Sequence, residues 1–235
     1  MERKREGRGR REERGRGGKM RKIIGGGIIL LLISIVIMSC GSGGPGEQGQ
    51  ATKSDGTVID LKVVSKKIKD AVAVLASVKE IETLVKSIDE LAKAIGKKIK
   101  NDGTLENETD KNGALIAGVH SVVSSVKTKV EALETRSEIS NELRTKITEV
   151  KTKAGAFLNK LKEKSSDLGK NDVKDTDAKS AILITDSTKD KGASELIELN
   201  TVINTLVTAS NSVLSSAILE LTESSVKMVK PSNNN

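Results

Sequence analysis

Cys40 is the single cysteine of the 235-residue chain, and its setting is one for covalent lipid chemistry. Arg21 and Lys22 precede an uncharged run from Ile23 to Met38, and Ser39-Cys40 closes it. A basic stretch, a short apolar stretch and a small-residue cleavage site are the parts of a secretory signal. Here the site ends in a thiol. Ile37-Met38-Ser39-Cys40 has a branched aliphatic three positions before the cysteine and a small residue directly before it. The spacing predicts cleavage between Ser39 and Cys40 and a lipid on the Cys40 sulfur. One acyl chain gives marginal, reversible membrane binding, and two or more hold a chain stably. The rival is a transmembrane helix, which needs about 20 apolar residues. This run has 16, contains Gly25-Gly26-Gly27, and is followed by a glycine-rich stretch with no basic cluster.

The remaining chemistry is sparse. His120 is the only histidine, so no second His or Cys completes a transition-metal site around it. No G-x-S-x-G elbow marks a nucleophile. Glu80/Glu82 and Glu106/Glu108 sit among lysines and read as solvated faces. Asp172–Asp177 lacks the sixth-position glycine and the closing glutamate of a calcium loop. Neither an enzyme nor a cofactor beyond the covalent lipid on Cys40 is indicated. Clusters at Lys127/Lys129, Lys160/Lys162/Lys164 and Lys189/Lys191 read as ordinary helix exteriors. Lys97, Lys98 and Lys100, at a helix end, are the candidate contacts for an acidic ligand such as a sulfated glycan.

Residues 2–19 hold only Glu, Arg, Lys and Gly, all of which purine-only codons can write. The tract reads as a translated ribosome-binding leader, with Met20 as the start. It also carries the charge. The chain has a formal net charge of +8, but residues 1–22 hold 11 Lys and Arg against 4 Glu, leaving 29 basic and 28 acidic residues beyond them. The basic balance therefore gives no warrant for a nucleic-acid partner.

The elements that must carry the rest are helical. There is no Trp or Tyr, Phe157 is the only aromatic, and residues 46–230 contain no proline. Such a composition favours long helices with aliphatic cores. Asp60 is the expected N-cap of a first helix of about 35 residues. Its stripe reads Leu61, Val64, Ile68, Val72, Leu75, Val78, Ile81, Leu84, Ile88, Leu91 and Ile95, with Gly96 as the C′ residue. Asn101-Asp102-Gly103 then predicts a short hairpin, or at least a loop. A second helix is expected after Asn112 as cap and runs to Leu133. A break follows at Arg136–Ser140, and a third helix carries Ile139 to Leu161 and ends towards Leu168-Gly169. A short fourth spans about Asp177–Ile184, and a long fifth carries Leu196 to Leu221. Single apolar stripes on long helices bury each other in an up-and-down bundle. A core this slim also predicts that a second copy completes part of the first helix's stripe, as a homodimer.

Six blocks carry a family resemblance: KAIGKKI (93–99), NGALIAG (112–118), NKLKEKSSDLGK (159–170), DAKSAIL (177–183), KGASEL (191–196) and LELTES (219–224). In order and spacing the chain resembles the outer surface protein C / variable small protein family of spirochaetal surface lipoproteins. The resemblance implies a mostly α, elongated up-and-down bundle of about five helices with one short β-hairpin. It implies homodimers with both termini facing the membrane, and a lipid-anchored antigen of the bacterial outer membrane and cell surface. Antigenic variation, immune evasion and contact with host proteins or glycosaminoglycans are its implied roles. It carries over no catalytic residue and only Cys40 as the lipidated position. The alternative is a structural or adhesin lipoprotein that faces the periplasm and binds sulfated glycans through its lysines. The expected organisation is an upstream extension at 1–19, a signal peptide at 20–39, a flexible tether at 40–57, the bundle at 58–226 and a disordered tail at 227–235.

Overall fold

The computed structural model describes residues 50–52 and 58–225. Ser39, Cys40, the signal, the leader and the tail at 227–235 lie outside these residues. Strands β1 (Gln50–Thr52) and β2 (Val58–Asp60) pair antiparallel, Gln50 opposite Asp60. Within the expected tether at 40–57 only Gln50–Thr52 is described, and that stretch is hydrogen-bonded strand. Helix α1 (Leu61–Ala92) follows, then the hairpin β3 (Lys97–Ile99) and β4 (Leu105–Asn107). Next come α2 (Gly113–Glu134), α3 (Asn141–Glu163), the single turn α4 (Ser165–Leu168), α5 (Asp175–Ile182) and α6 (Ala193–Ser225).

The four long helices form a ring in which α1 touches α2 and α6, and α3 touches α2 and α6. Neighbours run antiparallel, as cross-helix ion pairs record: Lys129–Glu80 at 2.8 Å, Lys153–Glu198 at 2.7 Å and Lys67–Glu220 at 3.0 Å. The buried positions follow a seven-residue repeat. In α2 they are Ile116, Val123 and Val130 with Val119, Val126 and Leu133; in α3 they are Leu143, Val150 and Phe157 with Ile147, Ala154 and Leu161. A seven-residue repeat is the signature of left-handed supercoiled helices packed as knobs into holes. The expected bundle is the observed one.

In α1 the buried seam is Val64, Ala71, Val78, Val85 and Ala92 with Ile68, Val74, Ile81 and Ile88. This corrects the sequence-based stripe. Val72, Leu75, Leu84 and Leu91 flank the seam half-buried, and Ala71 and Ala92, absent from the expected stripe, lie inside it. Ala193–Leu221 is long and apolar enough to cross a bilayer by composition, yet its Leu196, Leu199, Ile203 and Leu206 are buried in this core.

The ends of the helices show how the chain turns. Asp60 caps α1 as expected, its Oδ1 accepting from the Lys62 N–H at 2.8 Å and the Val63 N–H at 3.4 Å. The helix ends at Ala92 with Lys93 as C-cap, three residues before the expected limit. Gly96 does hold a positive φ, +67°, but in the turn that leads to the hairpin. The break at 135–140 is closed by Arg144, whose guanidinium donates to the carbonyls of Glu134, Arg136 and Ile139. The Glu134 carbonyl ends α2, and the arginine satisfies it together with two carbonyls of the following turn. Ser140, not Ile139, begins the next helix, its Oγ accepting from the Leu143 N–H at 3.3 Å. The helix stops at Glu163 and α4 is separate, and the fourth expected helix starts two residues early, at Asp175.

Candidate functional site

The end of the bundle away from the start of α1 is built by the hairpin and by two loops that clasp it. Its strands pair Lys97 with Asn107, Lys98 with Glu106 and Ile99 with Leu105. The turn is held by Asp102, whose Oδ1 accepts from the Thr104 N–H at 2.9 Å and from its hydroxyl at 2.6 Å. Those two bonds lower the Asp102 carboxyl below its ordinary range, the hydroxyl contributing most. Ile99 and Leu105 are 74% and 58% exposed, an apolar pair standing in solvent.

The candidate lysines are here, but largely matched. Lys98 Nζ lies 3.5 Å from Glu106 and 3.6 Å from Glu108, and Lys97 Nζ donates to Asn107 Oδ1. Lys100 is exposed at the turn, and its backbone N–H donates to the Thr104 carbonyl at 2.8 Å. In each of the other lysine clusters at least one member is paired: Lys129 with Glu80, Lys160 with Glu195 at 3.3 Å, and Lys191 with Asp167 and Asp177. His120 points outward and is exposed. Among the described residues no three His, Cys, Asp or Glu side chains converge as a metal site would. The arrangement offers contact surface.

What holds the hairpin to the bundle is Asn112, which does stand at the N-cap position of α2. It was expected to cap α2, but its side chain makes no capping bond. Only 2% exposed, it instead joins three segments. Its Oδ1 accepts from the Gly96 N–H at 2.8 Å, and its Nδ2 donates to the Val173 carbonyl at 3.0 Å and to Asp175 Oδ1 at 2.8 Å. Asp175 and Asp110 complete the clasp by accepting each other's backbone N–H, at 3.0 and 2.8 Å. Gly96 must be glycine here twice over, since its φ is +67° and a Cβ would stand 2.6 Å from Asp175 Oδ2.

The backbone donor of Asp110, followed by the Asn112 amide, lowers the Asp175 carboxyl below its ordinary value. A lowered carboxyl adds stability above its unfolded pKa of about 3.9 and loses it as the pH falls through the folded value. Hydrogen exchange, corrected for intrinsic rate, should therefore show Gly96 and Asp110 losing protection at pH 3 relative to pH 6. Asp175→Asn, which keeps an acceptor for the Asp110 N–H, should remove that difference; an unchanged difference would put the acid sensitivity elsewhere.

The comparisons with known proteins agree with this architecture. The sequence pattern of a lipoprotein family, Lipoprotein_6, matches residues 58–227. The chain is 46% identical to Variable small protein 11 of Borrelia hermsii over 198 residues, which is 83% of this chain and 94% of that one. The chain belongs to this lipoprotein family. A second member, Outer surface protein C of Borreliella burgdorferi, is 41% identical over 196 residues, 82% of this chain and 91% of that one. The solved structure of Variable Small Protein 1 of Borrelia turicatae superposes with a TM-score of 0.66 at 55% identity, covering 69% of this chain and 99% of that one. The family resemblance in the six sequence blocks is thus real, and all six lie within the described residues. The KAIGKKI and NGALIAG blocks meet at the Gly96–Asn112 hydrogen bond. Two stretches distant in sequence form one clasp, which nothing in either block alone signalled.

Proposed function

We propose that this family member is a lipid-anchored outer-surface antigen of a spirochaete, acting in antigenic variation, immune evasion and contact with host components. The observation that carries the reading is the placement of the ends. The start of α1 packs beside the end of α6, through Val64, Ile68 and Ala71 against Leu214 and Ala217. The hairpin is built at the opposite end. A chain tethered by Cys40 through its N-terminal side would then hold the hairpin away from the bilayer. The exposed Ile99–Leu105 pair, with Lys100 beside it, is the surface that suits a host protein or glycan. A homodimer across α1, the arrangement the resemblance implies, belongs to the same reading. The relatives' names, outer surface protein and variable small protein, support the location.

The test is fatty-acid labelling of cells carrying the wild-type chain or Cys40→Ser, followed by protease on intact cells. Label is expected in the wild type alone, and the protease should remove the wild-type chain. Equal label in both would sink the anchor. A labelled chain that survives protease would favour the periplasm-facing alternative.

A further inference from the structure

The seam of the bundle changes character near one end. On α6 the buried positions seven apart are Leu196, Ile203, Ser210 and Ala217, so a hydroxyl stands where the repeat otherwise takes an apolar side chain. The α2–α3 turn ends over this point, and α1 lines it with Ala71 and Val74 and with the charged Lys66, Lys67 and Asp70. Together they leave a cleft of about 520 Å3 roofed by Ser137, Glu138 and Ser140. That size falls in the range of small-molecule sites, roughly 300–1,000 Å3. Ala71, Val74, Leu143 and Ala217 form an aliphatic floor.

Ser210 lines the cleft, is 1% exposed, and its Oγ has no hydrogen-bond partner. Its neighbours on α6 behave otherwise. Thr201, Thr205, Thr208 and Ser212 each donate to the carbonyl four residues back, at 2.9, 3.1, 3.0 and 3.2 Å. A buried hydroxyl without a partner is costly and asks for one. The charged groups at the cleft are already matched: Lys66 with Asp70 at 2.6 Å, Lys67 with Glu220 at 3.0 Å, and Glu138 with Arg136 at 2.6 Å. A charged ligand would lose hydration there without gaining a counter-ion. From Ser210 to Glu220 the helix rises about 15 Å.

We propose that this cleft binds a neutral aliphatic molecule with a hydrogen-bonding group at each end. One end meets Ser210 Oγ under the α2–α3 turn, the chain lies on Ala71, Val74 and Ala217, and the other end meets the Lys67–Glu220 pair at the mouth. The probe is octane-1,8-diol, titrated into the full chain in lipid nanodiscs while the methyl signals of Ala71 and Ala217 are followed by NMR. Saturable shifts at those methyls are expected, with octane-1,8-diammonium and octanedioate at least tenfold weaker. Ser210→Ala should weaken the diol about fivefold or more. Ser210→Val, which restores an aliphatic seam, should abolish the shifts and raise the melting temperature. Non-saturating shifts, equal affinity for the charged probes, or unchanged affinity in either Ser210 variant would overturn the site.

Discussion

Asn112→Leu should cost about 3 kcal/mol of folding stability and release the hairpin before the bundle melts. The figure comes from counting what each partner keeps. The Gly96 N–H loses its acceptor and is left buried without one, the full desolvation penalty of about 1–3 kcal/mol. The Val173 carbonyl keeps the Asn112 backbone N–H at 3.3 Å, and Asp175 Oδ1 keeps the Asp110 N–H at 3.0 Å. Each therefore loses one of two bonds, a smaller cost. In a domain of this size the total should lower the melting temperature by roughly 6–12 °C. Asn112→Asp separates geometry from bonding. It preserves the shape and the acceptor for Gly96 but sets a second carboxylate against Asp175. It should be worse than the leucine variant at neutral pH and recover part of its loss near pH 4, opposite to the acid trend of the wild type. Chemical denaturation of the three proteins at both pH values measures this. A melting temperature within 2 °C of wild type for Asn112→Leu would mean that the clasp is not held through this side chain.

The helices were legible in the sequence because aliphatic periodicity without proline leaves few other ways to bury Val, Ile and Leu. Asp60 was legible as a cap, and Asn101-Asp102-Gly103 as a turn, because both are local chemistry. What escaped was nonlocal. An asparagine before a helix and an aspartate in a polar loop look like a cap and a solvated charge. Only the fold brings Asn112, 63 residues away in sequence, to Asp175. The α1 seam was misplaced for a related reason. Hydropathy ranks leucine above alanine, yet Ala71 and Ala92 are inside and Leu84 and Leu91 at the rim, because the seven-residue line through Val64, Val78 and Val85 passes through the alanines. The seven-residue spacing of Ser210 with Ile203 and Ala217 was present in the sequence, and a serine among aliphatics at that spacing was the one available sign of the cleft.

Two glycines five residues apart in α2 should respond to alanine with opposite signs. At Gly113 an added Cβ would stand 2.2 Å from the Lys170 carbonyl oxygen and 2.9 Å from Asn171 Cα. Both are backbone, so no rotamer change relieves the contact, and the Gly113 N–H is itself bonded to the Asn171 carbonyl at 3.3 Å. The loop over 169–174 must move off α2, taking Val173 and the Asn112 bond with it; overpacking of this kind costs about 1–3 kcal/mol or more. At Gly118 a Cβ meets nothing within 4 Å, and alanine there only removes the entropy penalty of a helical glycine. That gain is about 0.5–1 kcal/mol. The two variants should therefore differ by about 3 kcal/mol although the substitution and the helix are the same. Equal denaturation midpoints would show that the loop does not press on the start of α2. A loss at both positions would instead point to the helix as a whole, and a loss at Gly113 alone ties the hairpin's mooring to the one residue type that lets loop and helix touch.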